Sequence, residues 1–169
     1  MDEQTDSANR TLRLASLLTD ETVRARVHVV SWQEAVDRVG GLLVGAGAVE
    51  LRYIEAMKLV LREMGPYAVI APGVVLLHAR PEDGVRRPCL ALMTLATPVP
   101  FGHSQNDPVD LVVALGAADK QAHIVALQEL ARLLMDQPTL ERIRSAQDDG
   151  ALRAAIDAFD AGPSLGPSG

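Results

Sequence analysis

Residues 65–85 read GPYAVIAPGVVLLHARPEDGV. Gly65-Pro66 stops any helix that precedes it, because proline lacks the helical N–H donor and biases the residue before it away from helical torsions. Tyr67 to Ile70 and Val74 to Leu77 are short apolar runs divided by Ala71-Pro72-Gly73, the composition of two buried strands around a turn. The second run delivers His78 into a polar turn, Ala79-Arg80-Pro81-Glu82-Asp83-Gly84. A histidine at the end of a buried strand is held rigidly and still reaches solvent. Its neutral imidazole carries a ring-nitrogen lone pair able to attack phosphorus or to bind a metal. His78 is therefore a candidate nucleophile, although a lone histidine beside an apolar strand is more often an ordinary packing residue.

Outward from this stretch the chain alternates strands and helices. Val23 to Val30 has the period-two pattern of a half-buried strand, with His28 on its polar phase as a surface residue. Ser31 with Glu34 three residues on is a capping box that opens a helix through Ala35, Val36, Val39, Leu42 and Leu43, ended by Gly45 and Gly47. Leu51, Ile54, Met57 and Leu61 define a second helix, from about Leu51 to Met64. Beyond His78, Cys89 to Leu95 and Val109 to Leu115 read as two central strands. Asp119 is placed to cap a long helix from Lys120 to Met135, and shorter helices follow around Thr139 to Ala146 and Ala151 to Phe159. Strands interleaved with helices predict a layered α/β domain whose functional groups gather at strand ends and loops.

The chain has 169 residues, enough for one domain with a sizeable core, and 48% of them are hydrophobic. Aromatic residues make up only 3%, so that core is aliphatic. A net charge of −6 argues against a nucleic-acid binder, which needs a basic face for phosphates. Cys89 is the single cysteine, so no internal disulfide forms, and no signal-peptide pattern opens the chain. No apolar run approaches the roughly 20 residues that span a bilayer. A cytoplasmic protein without direct membrane insertion is expected. Residues 1–10 and the Gly/Pro/Ser-rich residues 161–169 read as flexible tails around a domain at 11–160.

The order of motifs sharpens this picture. The 65–85 stretch, then Pro98-Val-Pro-Phe-Gly-His103, Asn106-Asp107-Pro108-Val109-Asp110 and Ala122-His123-Ile124, resembles the enzyme IIA components of the fructose/mannitol-type sugar phosphotransferase system, on its ascorbate-type branch. The resemblance runs from about Thr11 to Phe159. It implies a single domain with a mixed β-sheet flanked by helices, and a phosphocarrier that works without metal or organic cofactor. Such a protein accepts a phosphoryl group from HPr on a histidine and hands it to a cysteine of a IIB partner, serving a separate membrane IIC component. The matching histidine is His78; the residue before it is Leu77, where the family commonly has proline. A regulatory protein that reports its phosphorylation state by binding other proteins is the alternative use of the same domain.

The resemblance also assigns supporting residues. His123 is expected close to His78 in space, near a helix N-terminus whose free N–H groups and positive dipole end suit a phosphate. Arg62 matches an arginine that some relatives keep beside the site, and Arg80 follows His78 closely enough to approach a phosphate; a surface salt bridge is the competing reading for each. His103 is expected on the rim, as a partner-recognition residue or a solvated loop residue. Cys89 stands at the entry of an apolar run, away from any Gly/Ser-rich turn, and reads as core and not as the next phosphoryl acceptor. A zinc centre of His78, His103 and His123 is the metal alternative, but the spacing matches no compact metal motif.

Overall fold

The structure is a computed structural model and describes residues 14–161. The expected tails lie outside the described residues, except for Ala161, the last residue of the final helix. The elements in chain order are α1 (Leu14–Leu17), β1 (Val23–Val27), α2 (Trp32–Gly45), α3 (Arg52–Met64), β2 (Val69–Ala71), β3 (Val74–His78), β4 (Cys89–Val99), β5 (Val109–Gly116), α4 (Lys120–Met135), α5 (Gln137–Ser145) and α6 (Asp149–Ala161). The five strands form one mixed sheet in the order β1-β4-β5-β3-β2. β3 runs parallel to β5 and β1 parallel to β4, whereas β4 with β5 and β2 with β3 are antiparallel. This is the layered α/β architecture predicted above.

Side chains of a strand alternate between the two faces of its sheet. Val75, Leu77, Ala91, Met93, Val112 and Ala114 accordingly join one core with α2 and α3. Val74, Leu76, Leu90, Leu92, Val113 and Leu115 join a second core with α1, α4, α5 and α6. Leu90, Leu92, Ala91 and Met93 are all fully buried, so β4 is covered on both faces. The same alternation decides where the chemistry sits. His78 falls in phase with Val74 and Leu76, on the face covered by α4.

Local signals set most element ends. Ser31 Oγ accepts from the Glu34 N–H (3.2 Å), as expected, but the Glu34 carboxylate reaches back to the Val30 N–H (3.0 Å) and not to that of Ser31. Asp119 caps α4 by accepting from the Ala122 N–H at 2.8 Å. One predicted strand is shortened: Pro66–Ala68 form a turn of 3₁₀ helix and only Val69–Ala71 pair with β3. Pro66 offers no N–H to a ladder, and Gly65 before it has φ +74, so the chain turns through this point instead of extending.

Candidate functional site

His78 ends β3 and lies in register with Leu115 of β5. β5 continues one residue further, to Gly116, and the chain then turns through Asp119 into α4, bringing His123 back over the strand ends. The two imidazoles stand with ring centroids 5.3 Å apart and planes inclined by 53°. His78 is exposed and His123 half-buried. The His123 N–H donates to Asp119 O at 3.1 Å, which places it in the first turn of α4.

The proton affinity of His78 is lowered from its usual value, first by desolvation of a ring seated on packed strand ends and second by the neighbouring His123 imidazole. Its edge still reaches water, so it remains accessible while losing part of its hydration. The sign of the pH effect follows. The folded protein holds His78 neutral below pH 6.5, where the unfolded chain takes up a proton, so stability falls as pH drops from 6.5 toward the folded pKa and is unaffected above that window. NMR titration of the ring protons should give a midpoint below 6.5. His123→Gln should raise that midpoint without restoring it fully, since desolvation is the larger cause.

Tyr53 is the residue that sequence periodicity missed. It occupies the first turn of α3, is fully buried, and sends its hydroxyl between two strand ends on either side of the His78 backbone. The hydroxyl donates to Leu115 O at 2.6 Å and accepts from the Ala79 N–H at 2.9 Å. Burial pushes its pKa up to about 12, so it stays a donor throughout the physiological range. Leu115 is the register partner of His78 and Ala79 its chain neighbour, so one hydroxyl pins the backbone that carries the imidazole. Tyr53→Phe leaves a buried carbonyl and a half-buried N–H without this partner, and should cost about 1–3 kcal/mol of stability by chemical denaturation.

Of the other expected site residues, Arg80 adjoins His78 in the chain, while Arg62 and His103 make contacts of their own. Arg80 is exposed just beyond His78, and its backbone N–H donates to Asp83 at 3.0 Å to start the 3₁₀ turn Pro81–Asp83. Arg62 lies nine residues along α3 from Tyr53, about 14 Å at helical rise. Its guanidinium stacks 5.9 Å from the Trp32 ring, which in turn meets Phe101 at 6.5 Å. His103 belongs to the loop that joins β4 to β5, at the end of the sheet where β3 begins. Gly73 donates to Asn106 O in that loop (2.9 Å), and the length of β3, about 13 Å, separates this end from His78. His103 Nδ1 accepts from the backbone N–H groups of Gln105 (3.1 Å) and Asn106 (2.9 Å), so the imidazole shapes its own turn. The three histidines of the metal alternative therefore do not converge.

Cys89 is buried and faces Gly116 across the β4–β5 ladder. A Cβ on Gly116 would fall 2.6 Å from Cys89 Sγ, which shows how closely the thiol is packed. Burial raises its pKa to about 11, leaving it protonated and a poor nucleophile at neutral pH.

Residues 16–158 match the family model described as "Phosphoenolpyruvate-dependent sugar phosphotransferase system, EIIA 2". The ascorbate-specific PTS system EIIA component of Escherichia coli K12 is 36% identical over 147 residues, which cover 86% of this chain and 96% of that protein. Among solved structures, the mannitol-specific cryptic phosphotransferase enzyme IIA CmtB of Escherichia coli superposes with a TM-score of 0.78 at 32% identity, over 87% of this chain and 99% of that one. Enzyme IIAMTL of Escherichia coli, solved in complex with phosphorylated enzyme IIBMTL, shares the fold with a TM-score of 0.72 at 22% identity, over 84% and 99% of the two chains.

Proposed function

Because the chain belongs to the EIIA 2 family of the phosphoenolpyruvate-dependent sugar phosphotransferase system, we propose that it takes a phosphoryl group from HPr onto His78 and passes it to a cysteine of a IIB component. The observation that carries this reading is the imidazole pair at the ends of β3 and β5, with the exposed member made less basic. The similarity to an ascorbate-specific component supports ascorbate or a related sugar acid as the transported molecule. That molecule is taken up through a separate membrane IIC component, while the EIIA component handles only phosphate. No helix among the described residues is long and apolar enough to cross a membrane.

A lowered pKa keeps the His78 lone pair free at neutral pH. That lone pair attacks phosphorus in line with the P–N bond of phosphorylated HPr; a new P–N bond forms on His78 and the old bonding pair returns to the HPr imidazole. In the second step a IIB thiolate attacks phosphorus and the P–N bond to His78 breaks, its pair returning to the ring. The transition state is loose and asks mainly for alignment and for donors to its oxygens. His123 is the side chain placed to donate, and a hydrogen bond to a charged oxygen contributes about 1.5–3 kcal/mol. Tyr53 acts as a positioning residue, since it holds the backbone on both sides of the nucleophile and touches no reacting atom.

The transfer itself is the test. The protein is charged with phosphoenolpyruvate, enzyme I and HPr, freed of the donors, and mixed with the IIB component of an ascorbate system. Loss of phosphohistidine matched by gain of phosphocysteine on IIB is expected. Stable phosphohistidine in the presence of a IIB protein that discharges its own EIIA would contradict the carrier assignment and favour a regulatory role.

A further inference from the structure

The open edge of the sheet carries a second polar site. Residues 24–28 line one cavity of ≈ 370 Å³, closed by Arg38 and Leu42 of α2, by Met93 of β4 and by Asp149 at the start of α6. A regular strand cannot present consecutive residues to one cavity, because alternate side chains leave opposite faces. Here the pairing of β1 with β4 slips between Arg24 and Val27, and Arg26 adopts φ +54, a left-handed conformation uncommon for a residue with a side chain. Such a bulge re-aims side chains at a sheet edge. It is held in place: the Arg26 N–H donates to Thr94 Oγ1 at 2.8 Å and the Ala25 N–H to Asp149 Oδ1 at 2.7 Å.

The charges of the cavity are unevenly used. Arg24 is committed to the carbonyls of Asp20 (2.7 Å) and Val23 (2.8 Å), with Asp149 3.9 Å from its Nε. Arg26 and Arg38 are exposed, and among the described residues no carboxylate pairs with either. In a chain of net charge −6, two unpaired guanidinium groups and His28 thus face one concavity with Leu42 in its wall. Guanidinium forks match phosphate oxygens in pairs, and the volume lies in the range of small-ligand sites.

We propose that this cavity binds a small phosphomonoester, with Arg26 and Arg38 holding the phosphate and the half-buried Leu42 lining the space for its carbon skeleton. β1 and β3 are separated by β4 and β5, about 14 Å at strand spacing, so the site is distinct from His78 and does not depend on the function proposed for it. Glucose 6-phosphate is a suitable probe, followed by amide and arginine side-chain NMR signals of the intact protein, with sodium chloride at matched ionic strength as control. Saturable shifts at residues 24–28 and at the Arg26 and Arg38 Nε–H groups are expected, with a Kd of about 1 mM or tighter. The double variant Arg26→Gln/Arg38→Gln, at two exposed positions, should weaken binding about tenfold or more. Shifts reproduced by chloride, shifts unchanged in the double variant, shifts confined to the surroundings of His78 and His123, or none at about 10 mM probe would each overturn the proposal.

Discussion

His78→Ala should accept no phosphoryl group from phosphorylated HPr while keeping its fold. In the proposed function the imidazole is the nucleophile, and alanine offers no lone pair in its place. The side chain is exposed and accepts no hydrogen bond that holds a strand in place, so stability should shift by no more than about 0.5 kcal/mol, as for surface substitutions generally. Thermal denaturation of the variant alongside a phosphorylation assay separates the two effects. Acid-labile phosphate still found on the variant would mean that another residue accepts it.

His123→Gln should slow phosphoryl arrival on His78 by about 10–100-fold, equivalent to about 1.4–2.7 kcal/mol, without preventing eventual phosphorylation. On the proposed function His123 contributes more to the transition state than to the resting protein; its main chain completes the first turn of α4 and its ring stands beside the ring of His78. Rapid-quench measurement of transfer from HPr reads this directly. An unchanged rate would reduce His123 to an ordinary helix residue, and complete absence of phosphohistidine would make it an obligatory acceptor.

The parts of the fold legible in the sequence are those set by near neighbours. Ser31 and Asp119 announced two helices because a cap acts over three residues, and the apolar runs at Val74–Leu77, Cys89–Leu95 and Val109–Leu115 announced central strands because burial on both faces leaves no polar phase. The pairing of His78 with His123 came from family resemblance, since 45 positions separate them in the sequence and local pattern carries no distance over such a span.

Long-range contacts were the illegible part. Tyr53 stands outside the apolar stripe Leu51, Ile54, Met57 and Leu61 that defines its helix, and nothing local tells that its hydroxyl will meet Leu115 and Ala79. Its only signal was chemical: a buried tyrosine in an otherwise aliphatic core must find a partner for its O–H. Family analogy sets Arg62 beside the site; no local pattern tells that its guanidinium lies over the aromatic face of Trp32, thirty positions earlier. His103 reads from the sequence as a rim residue because it sits in a loop of turn and acceptor residues after Pro98, and no local pattern tells which groups its ring meets. Its Nδ1 serves the N–H groups of the residues two and three positions later, a local turn role that histidine shares with asparagine and aspartate. The bulge at Arg26 was hidden inside a pattern that alternates well, because hydrophobic phase reports burial and is insensitive to one residue in a left-handed conformation.

The most direct test of the central claim is to locate the phosphorus. The full chain, labelled with ¹⁵N and phosphorylated through enzyme I and HPr at neutral pH, should show nitrogen–phosphorus coupling on one ring, that of His78, with His123 perturbed but uncoupled. Coupling on the His123 ring, or on any group other than His78, would contradict the account.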